Sequence, residues 1–352
     1  MMASASKHLN YHQQLLLLKR RGLQGIAFED DPHYNDQIRS IRNIGYYKLK
    51  QYMYCFWNQE NNCYQNISYD QIIARYYRDQ RLKQFLFQAI CDIEASLNTR
   101  ISYVLGQSGP LMYTNFYSWC QTSGYNRFIK GKTYLDNNRR RCNVNKFTIK
   151  KDELSFLSRI QANIEHSYIN DIRSFEQTDS KVFPSIWLTI NVLTFGQSIY
   201  LLRLMSKRNK IAIANSYHTS IINLIKWLEM LNLVRNLCCH NGDLVDISFR
   251  TMPSIPKKYN QYLNIVNGNV PHRIGSAICV ILHLLREINP KYNVLKTIKP
   301  PLIKLCMVNK ELKEISAKNM GFKNIKAIEN LCKSFYTEPS CIYYPDQTYI
   351  NL

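Results

Sequence analysis

The chain's apolar residues recur mostly every three or four positions, the spacing that turns one face of an α-helix toward a core. The longest such pattern opens at Ser68, a side chain suited to capping a helix start. It runs to about Leu105 through Ile72, Ile73, Tyr76, Leu82, Phe85, Leu86, Ala89, Ile90, Ile93 and Leu97. The long mixed-charge Glu/Arg face there reads as the exposed side of the same helix. A shorter helix is expected over Leu15 to Gly22, stopped by the glycine, and one or two helices dense in aromatics over residues 34–56. Further helices are expected from about Asp152, through Val182 to Met205, from about Thr219 to Cys239, and from Arg273 to Ile288. Residues 106–150, rich in Gly, Pro, Ser and Asn, read as a long loop or insertion. Residues 251–273, with Pro253, Pro256, Asn269 and Pro271, read as an irregular connector. SCIYYP near the end is at best a short strand, and no internal repeat of fixed period is present. The expected class is all-α. A helical segment over 1–60 precedes a helical core over 61–250, and a connector, a helix and a lysine-rich region fill 251–352.

One helix breaks its own pattern. In LEMLNLVRNLCCHNGDL, Leu228 to Leu244, the stripe Ile221, Leu224, Ile225, Leu228 and Leu231 continues, at about 100° per residue, into Arg235. Beside it Glu229, Asn232, Asn236 and His240, spaced 3, 4 and 4, form a polar ladder. A guanidinium on a core-facing stripe is costly unless it is paired or faces a cleft. Arg and His together suit phosphate chemistry. Arg offers a planar, permanently charged fork to phosphate oxygens, and His moves protons near neutral pH. His240 sits in the last turn before an Asn-Gly stop, where the helix dipole favours an imidazolium. The other reading is structural: Arg235 pairs with Glu229 or another acid in the core.

Charge narrows the partners. Lys+Arg number 46 against 25 Asp+Glu, a formal net charge of +21, which favours polyanions. Nucleic acid is preferred over an anionic membrane surface. The longest apolar stretch, Ile186 to Met205, is interrupted by Asn191, Gly196, Gln197 and Arg203. LLLL at Leu15–Leu18 is too short for a leader and is followed at once by Lys19, Arg20 and Arg21. A cytoplasmic protein without membrane contact is expected. The 11 cysteines include no CxxC pair, which argues against both a disulfide framework and a zinc site; most are expected to be small buried residues. No Walker loop, GxGxxG, HExxH or GxSxG occurs, so nucleotide hydrolase, dehydrogenase and protease classes lose support.

The motif and its neighbours also carry a resemblance. RNLCCH matches the R-x4-6-H motif of the HEPN superfamily, with Asn236 as the polar residue after the arginine. IRNIGYYKLKQYMYCF, RLKQFLFQAICDIEASLNTRISYVL, WLTINVLTFGQSIYLL and WLEMLNLVRNLCCHNG then follow in the order and spacing of the Abi-like (abortive infection, AbiD/AbiF type) proteins. The resemblance covers about residues 12–250. It implies a HEPN-type helical bundle and a homodimer in which the Arg and His of two protomers meet. The activity implied is a metal-independent endoribonuclease of a phage-defence or toxin system, without cofactor, in which the ribose 2′-OH attacks the adjacent phosphate. It implies that Arg235 binds the phosphate, that His240 acts in proton transfer or charge stabilisation, and that Asn236 orients them. Some AbiF-type members associate with a small noncoding RNA. Where many members continue toward a basic or aromatic residue after the histidine, this chain has Asn241, Gly242 and Asp243, so the geometry beyond the motif stays open.

Other candidates are less specific. Glu94 and Arg100 are either a pair supporting the cleft or a salt bridge on the helix surface, and Asn232 supports the motif from its own ladder. Tyr46, Tyr47, Tyr52, Tyr54 and Phe56 suit base stacking but at helical spacing read as core, as do Trp187 and Phe195. Arg139, Arg140, Arg141, Lys146, Lys150 and the tail lysines are either phosphate contacts or solvated surface. Cys238 and Cys239 point about 100° apart and lack flanking ligands for a metal. The rival to the nuclease is a non-catalytic protein that holds a small noncoding RNA. A structural dimer in a defence complex is a third reading.

Overall fold

The computed structural model describes residues 8–122, 144–176 and 182–337. In chain order its helices are α1 (Tyr11–Arg20), α2 (Pro32–Ile44), α3 (Tyr46–Met53), α4 (Tyr69–Gly106), α5 (Phe116–Trp119), α6 (Lys146–Glu165), α7 (Asn170–Glu176), α8 (Ile186–Thr189), α9 (Phe195–Leu204), α10 (Lys207–Asn215), α11 (Ile221–Cys239), α12 (Ile274–Ile288), α13 (Lys299–Cys306), α14 (Lys313–Asn319) and α15 (Ile325–Thr337). Among the described residues the only sheet is an antiparallel pair of two-residue strands, β1 (Trp57–Asn58) and β2 (Cys63–Tyr64). The protein is all-α. SCIYYP lies outside the described residues.

The chain divides into two compact units. Of the described residues, one takes 8–87, 236–279 and 293–337, and the other takes 88–122, 144–176, 182–235 and 280–292. In the first, Leu15, Leu18, Ile41, Leu49, Tyr52 and Ile72 share one core with β2's Tyr64. The α1 stop is the expected glycine: Gly22 has φ +82°, and the N–H groups of Gly22 and Leu23 donate back to Lys19 and Leu18 at 3.0 and 3.1 Å. The lysine-rich region is more than a tail. Helices α13 and α15 bury Leu302, Leu305, Ile328, Leu331 and Phe335, and the link between α14 and α15 buries Phe322, while every lysine from Lys291 to Lys333 except Lys299 stays exposed.

In the second unit Phe116 of α5 packs edge-to-face with Trp119 and at a tilt against Phe156 of α6, with ring centroids 4.5 and 5.7 Å apart. Helix α6 starts at Lys146, earlier than expected, because Asn145 caps it by accepting from the Thr148 N–H at 2.9 Å. The helix expected from Val182 to Met205 is broken. Helix α8 and a 3₁₀ turn, Ile190–Val192, end at Leu193, and a capping box between Thr194 and Gln197 starts α9. That box was readable as T-x-x-Q inside the apolar run.

Candidate functional site

Helix α11 buries more of its circumference than the sequence stripe required. Leu224, Ile225, Leu228 and Leu231 are buried as expected, and so are Trp227, Met230 and Val234. Ile222, Lys226, Leu233, Asn236 and His240 form one exposed line, with half-buried Glu229 among them, and Cys239 is exposed to one side of it. Arg235 lies on the buried side, half-buried with its Nε out of solvent. Its charge acts on Glu94 of α4: burial raises the Glu94 pKa and the guanidinium opposes that rise. Glu229 pairs with Arg203 of α9 at 3.2 Å, so of the acids the structural reading allowed for Arg235, Glu94 is the one its charge acts on. Asn232 lies beside Gly196, where a Cβ would approach its Nδ2 to 3.5 Å. Five residues at about 100° each turn His240 about 140° away from Arg235 around the helix.

The loop after the histidine is a fixed structure. The His240 N–H donates to the Asn236 carbonyl at 2.9 Å, Asn241 takes φ +54°, and the Gly242 N–H donates to the Leu237 carbonyl at 2.8 Å. This is a Schellman ending with asparagine in the left-handed position. Gly242 is packed onto Leu237 so closely that a Cβ would lie 2.5 Å from its Cδ2. The turn is gripped from α3 and α4. Lys83 Nζ donates to Asn241 Oδ1 at 2.9 Å and to the Gly242 carbonyl at 2.8 Å. Gln80 also donates to Asn241 Oδ1, and Lys48 donates to the Asn241 carbonyl.

Sequence reasoning missed what lies beneath this grip. Arg75, Asp79 and Lys83, on a helix whose mixed-charge face was expected to be exposed, are buried. Lys83 pairs with Asp79 at 2.9 Å, Tyr52 O–H donates to Asp79 at 2.6 Å, and Arg75 pairs with Asp246 at 2.5 Å. Asp243 sits nearby without a strong cation of its own. Burial first, then Asp246 and Asp79, push its carboxyl up to about 7. A raised folded-state pKa means that the folded protein holds this proton more tightly than the unfolded chain. Its stabilisation is therefore full at low pH and is lost as pH rises from the ordinary carboxylate range through about 7. Asp243→Asn is expected to remove that decline and to raise the melting temperature at pH 8. Melting both proteins at pH 5.5 and 8 checks this; parallel pH responses would refute it.

The remaining candidates separate. Arg100 donates to the Ser216 carbonyl at 2.6 Å and lies 3.9 Å over the Tyr217 ring, so it does not join Glu94. Lys146 is exposed at the α6 start, and Lys150 pairs with Glu153. Arg139, Arg140 and Arg141 lie outside the described residues. Phe195 and Tyr52 are buried, whereas Tyr47 and Tyr54 are exposed, and Trp187 is not core: it is 50% exposed. Cys120, Cys279, Cys306 and Cys332 are buried; Cys55 and Cys239 are exposed, and burial pushes the Cys238 thiol up to about 12. Cys238 and Cys239 line an open cleft of about 560 Å³ with Gln80, Arg81 and Phe87. A second pocket, about 370 Å³, is lined by Glu94, Asn98, Trp187 and Asn191. Among the described residues no group of three His, Cys, Asp or Glu is placed to hold a metal ion, and no helix is long and apolar enough to cross a membrane.

An all-α chain with an R-x4-H helix end held on a built turn defines the class. The chain belongs to the Abi-like protein family, whose model matches residues 39–246, the span from α2 to the Asp246 that pairs with Arg75. Membership points to an abortive-infection, defence-type role. No curated protein and no solved structure matches the chain.

Proposed function

We propose that this protein is a HEPN-type endoribonuclease of a phage-defence or toxin system, and that it cleaves RNA without a metal ion. The observation that supports this best is His240, an exposed imidazole on the residue that follows α11, with the turn behind it held by Lys83. In the proposed step the ribose 2′-oxygen bonds to phosphorus and the bond from phosphorus to the 5′-oxygen breaks. His240 takes part in moving the 2′-OH proton toward the leaving oxygen, and the products end in a 2′,3′-cyclic phosphate and a 5′-OH. Asn236 shares the exposed line with His240, and Arg235 supplies the guanidinium that offsets phosphate charge.

Because Arg235 and His240 diverge by about 140° on one helix, a single copy does not aim both at one phosphate. The exposed line of α11 suits a second copy: Ile222 and Leu233 are apolar contacts, with Lys226 and Glu229 between them. A homodimer brings a second Arg and a second His to the same seam. The same divergence favours one rival, a protein that holds a small noncoding RNA without cutting it. The test is incubation with single-stranded and structured RNAs in EDTA, with end analysis and sequencing of copurified RNA. Cleavage leaving cyclic phosphates supports the nuclease; intact substrate beside one enriched RNA supports the rival.

A further inference from the structure

The second unit contains a pocket that the cleavage step does not use. Helix α8 is pinned by its buried side: Ile186 and Thr189 are fully buried, the Ile186 N–H donates to Pro110 at 2.9 Å, and Tyr113 O–H lies 2.9 Å from Thr189 Oγ1. That anchoring turns Trp187, at 50% exposure, outward. One side of its indole rests on Gly106, where a Cβ would lie 2.7 Å from the ring. The tryptophan is thus held from behind and open in front, the arrangement of a stacking platform.

Three polar groups share the pocket with it. The Glu94 carboxylate lines the pocket, makes no hydrogen bond among the described residues, and lies in the field of Arg235. Asn98 uses its Oδ1 to accept from Ser198 at 2.6 Å, which leaves its amide N–H groups to donate. Asn191 spends its N–H on the Trp187 carbonyl at 2.9 Å, which leaves its oxygen to accept. A volume of about 370 Å³ lies within the range of small-ligand sites, roughly 300–1,000 Å³. A ring flanked by a carboxylate also suits a cationic ligand, but a net charge of +21 repels cations and gathers polyanions.

We infer that this pocket binds a guanine base, stacked on Trp187 with its Watson–Crick edge on Glu94. A carboxylate accepts two parallel N–H bonds, and among the RNA bases only guanine presents a ring N–H beside an amino group. Adenine and cytosine place a ring acceptor next to their amino group, facing the carboxylate's lone pairs, and uracil flanks its N–H with carbonyls. The inference rests on the RNA reading above only for the strand that carries the base; a free guanine nucleotide offers the same edge.

The experiment measures binding, in EDTA, of a short uridine oligomer with and without one guanine, and of GMP beside CMP, by intrinsic fluorescence and anisotropy. Wild type, Glu94→Gln, Trp187→Ala and Trp187→Phe are compared. The guanine oligomer is expected to bind about tenfold tighter than the all-uridine one. Glu94→Gln should abolish that preference, Trp187→Ala should weaken binding about tenfold, and Trp187→Phe should restore most of it. A preference for GMP without one in the oligomer, again lost in Glu94→Gln, supports the site with a free nucleotide as occupant. No guanine preference in either arm overturns the inference. Because none of these readouts requires cleavage, that failure is distinct from a failure of the nuclease, which the His240 variant reports.

Discussion

His240→Ala is expected to fold and melt like the parent protein and to lose at least about a hundredfold in RNA cleavage. The first half follows from exposure. The imidazole lies on the outer line of α11, and the turn behind it is held by backbone bonds and by Lys83, Lys48 and Gln80 acting on Asn241 and Gly242, none of which uses the His240 side chain. Substitutions of exposed side chains of this kind usually change stability by no more than about 0.5 kcal/mol. The second half follows from the chemistry, since proton transfer by a positioned group contributes roughly 10²–10⁴-fold. Equal cleavage by variant and parent, in EDTA and with matched melting curves, would remove His240 from the reaction and with it the proposed nuclease site.

Arg235 answers a different question. It lies on the buried side of α11 with Glu94 in its field, so Arg235→Ala strips a half-buried carboxylate of its countercharge and costs stability along with activity. Loss of cleavage in that variant alone therefore says little about catalysis. Arg235→Lys keeps the charge beside Glu94 and gives up the planar fork, which makes it the more informative substitution.

The helices were legible because their apolar spacing is strong, and α11 was legible down to its odd arginine. The same reasoning was available on α4. Arg75 and Asp79 fall within the stripe formed by Ile72, Leu82, Leu86, Ile90 and Ile93, and Lys83 lies at its edge, yet the mixed charges of the helix read as a solvated face. A wheel shows position and not compensation. The groups that neutralise these charges, Asp246, Tyr52 and the Asn241–Gly242 turn, come from distant parts of the chain. Trp187 was misread for a related reason: α8 is four residues long, too short for periodicity to say which side is buried. His240's neighbourhood was half legible. Asn-Gly announced a helix end, but the grip of Lys83 and Lys48 on that end depends on tertiary contacts.

Lys83 is where fold and candidate site meet, and Lys83→Met is expected to cost about 3–5 kcal/mol. Its ammonium has three N–H groups, and the structure gives each a partner: Asp79 at 2.9 Å, Asn241 Oδ1 at 2.9 Å and the Gly242 carbonyl at 2.8 Å. Methionine fills similar volume but leaves Asp79, fully buried, with the Tyr52 O–H on Oδ2 and, among the described residues, no hydrogen bond on Oδ1. An uncompensated buried carboxylate is the larger part of the penalty, so Asp79→Asn added to Lys83→Met should recover a substantial share of it. The turn gives a second, independent readout. Without Lys83, Asn241 loses an anchor, and any cleavage that depends on His240 should fall even in the stabilised double variant. Thermal melting and EDTA cleavage on the four proteins of this cycle separate the two effects. If the double variant regains stability and keeps full cleavage, Lys83 serves only the core, and His240 does not depend on the turn behind it.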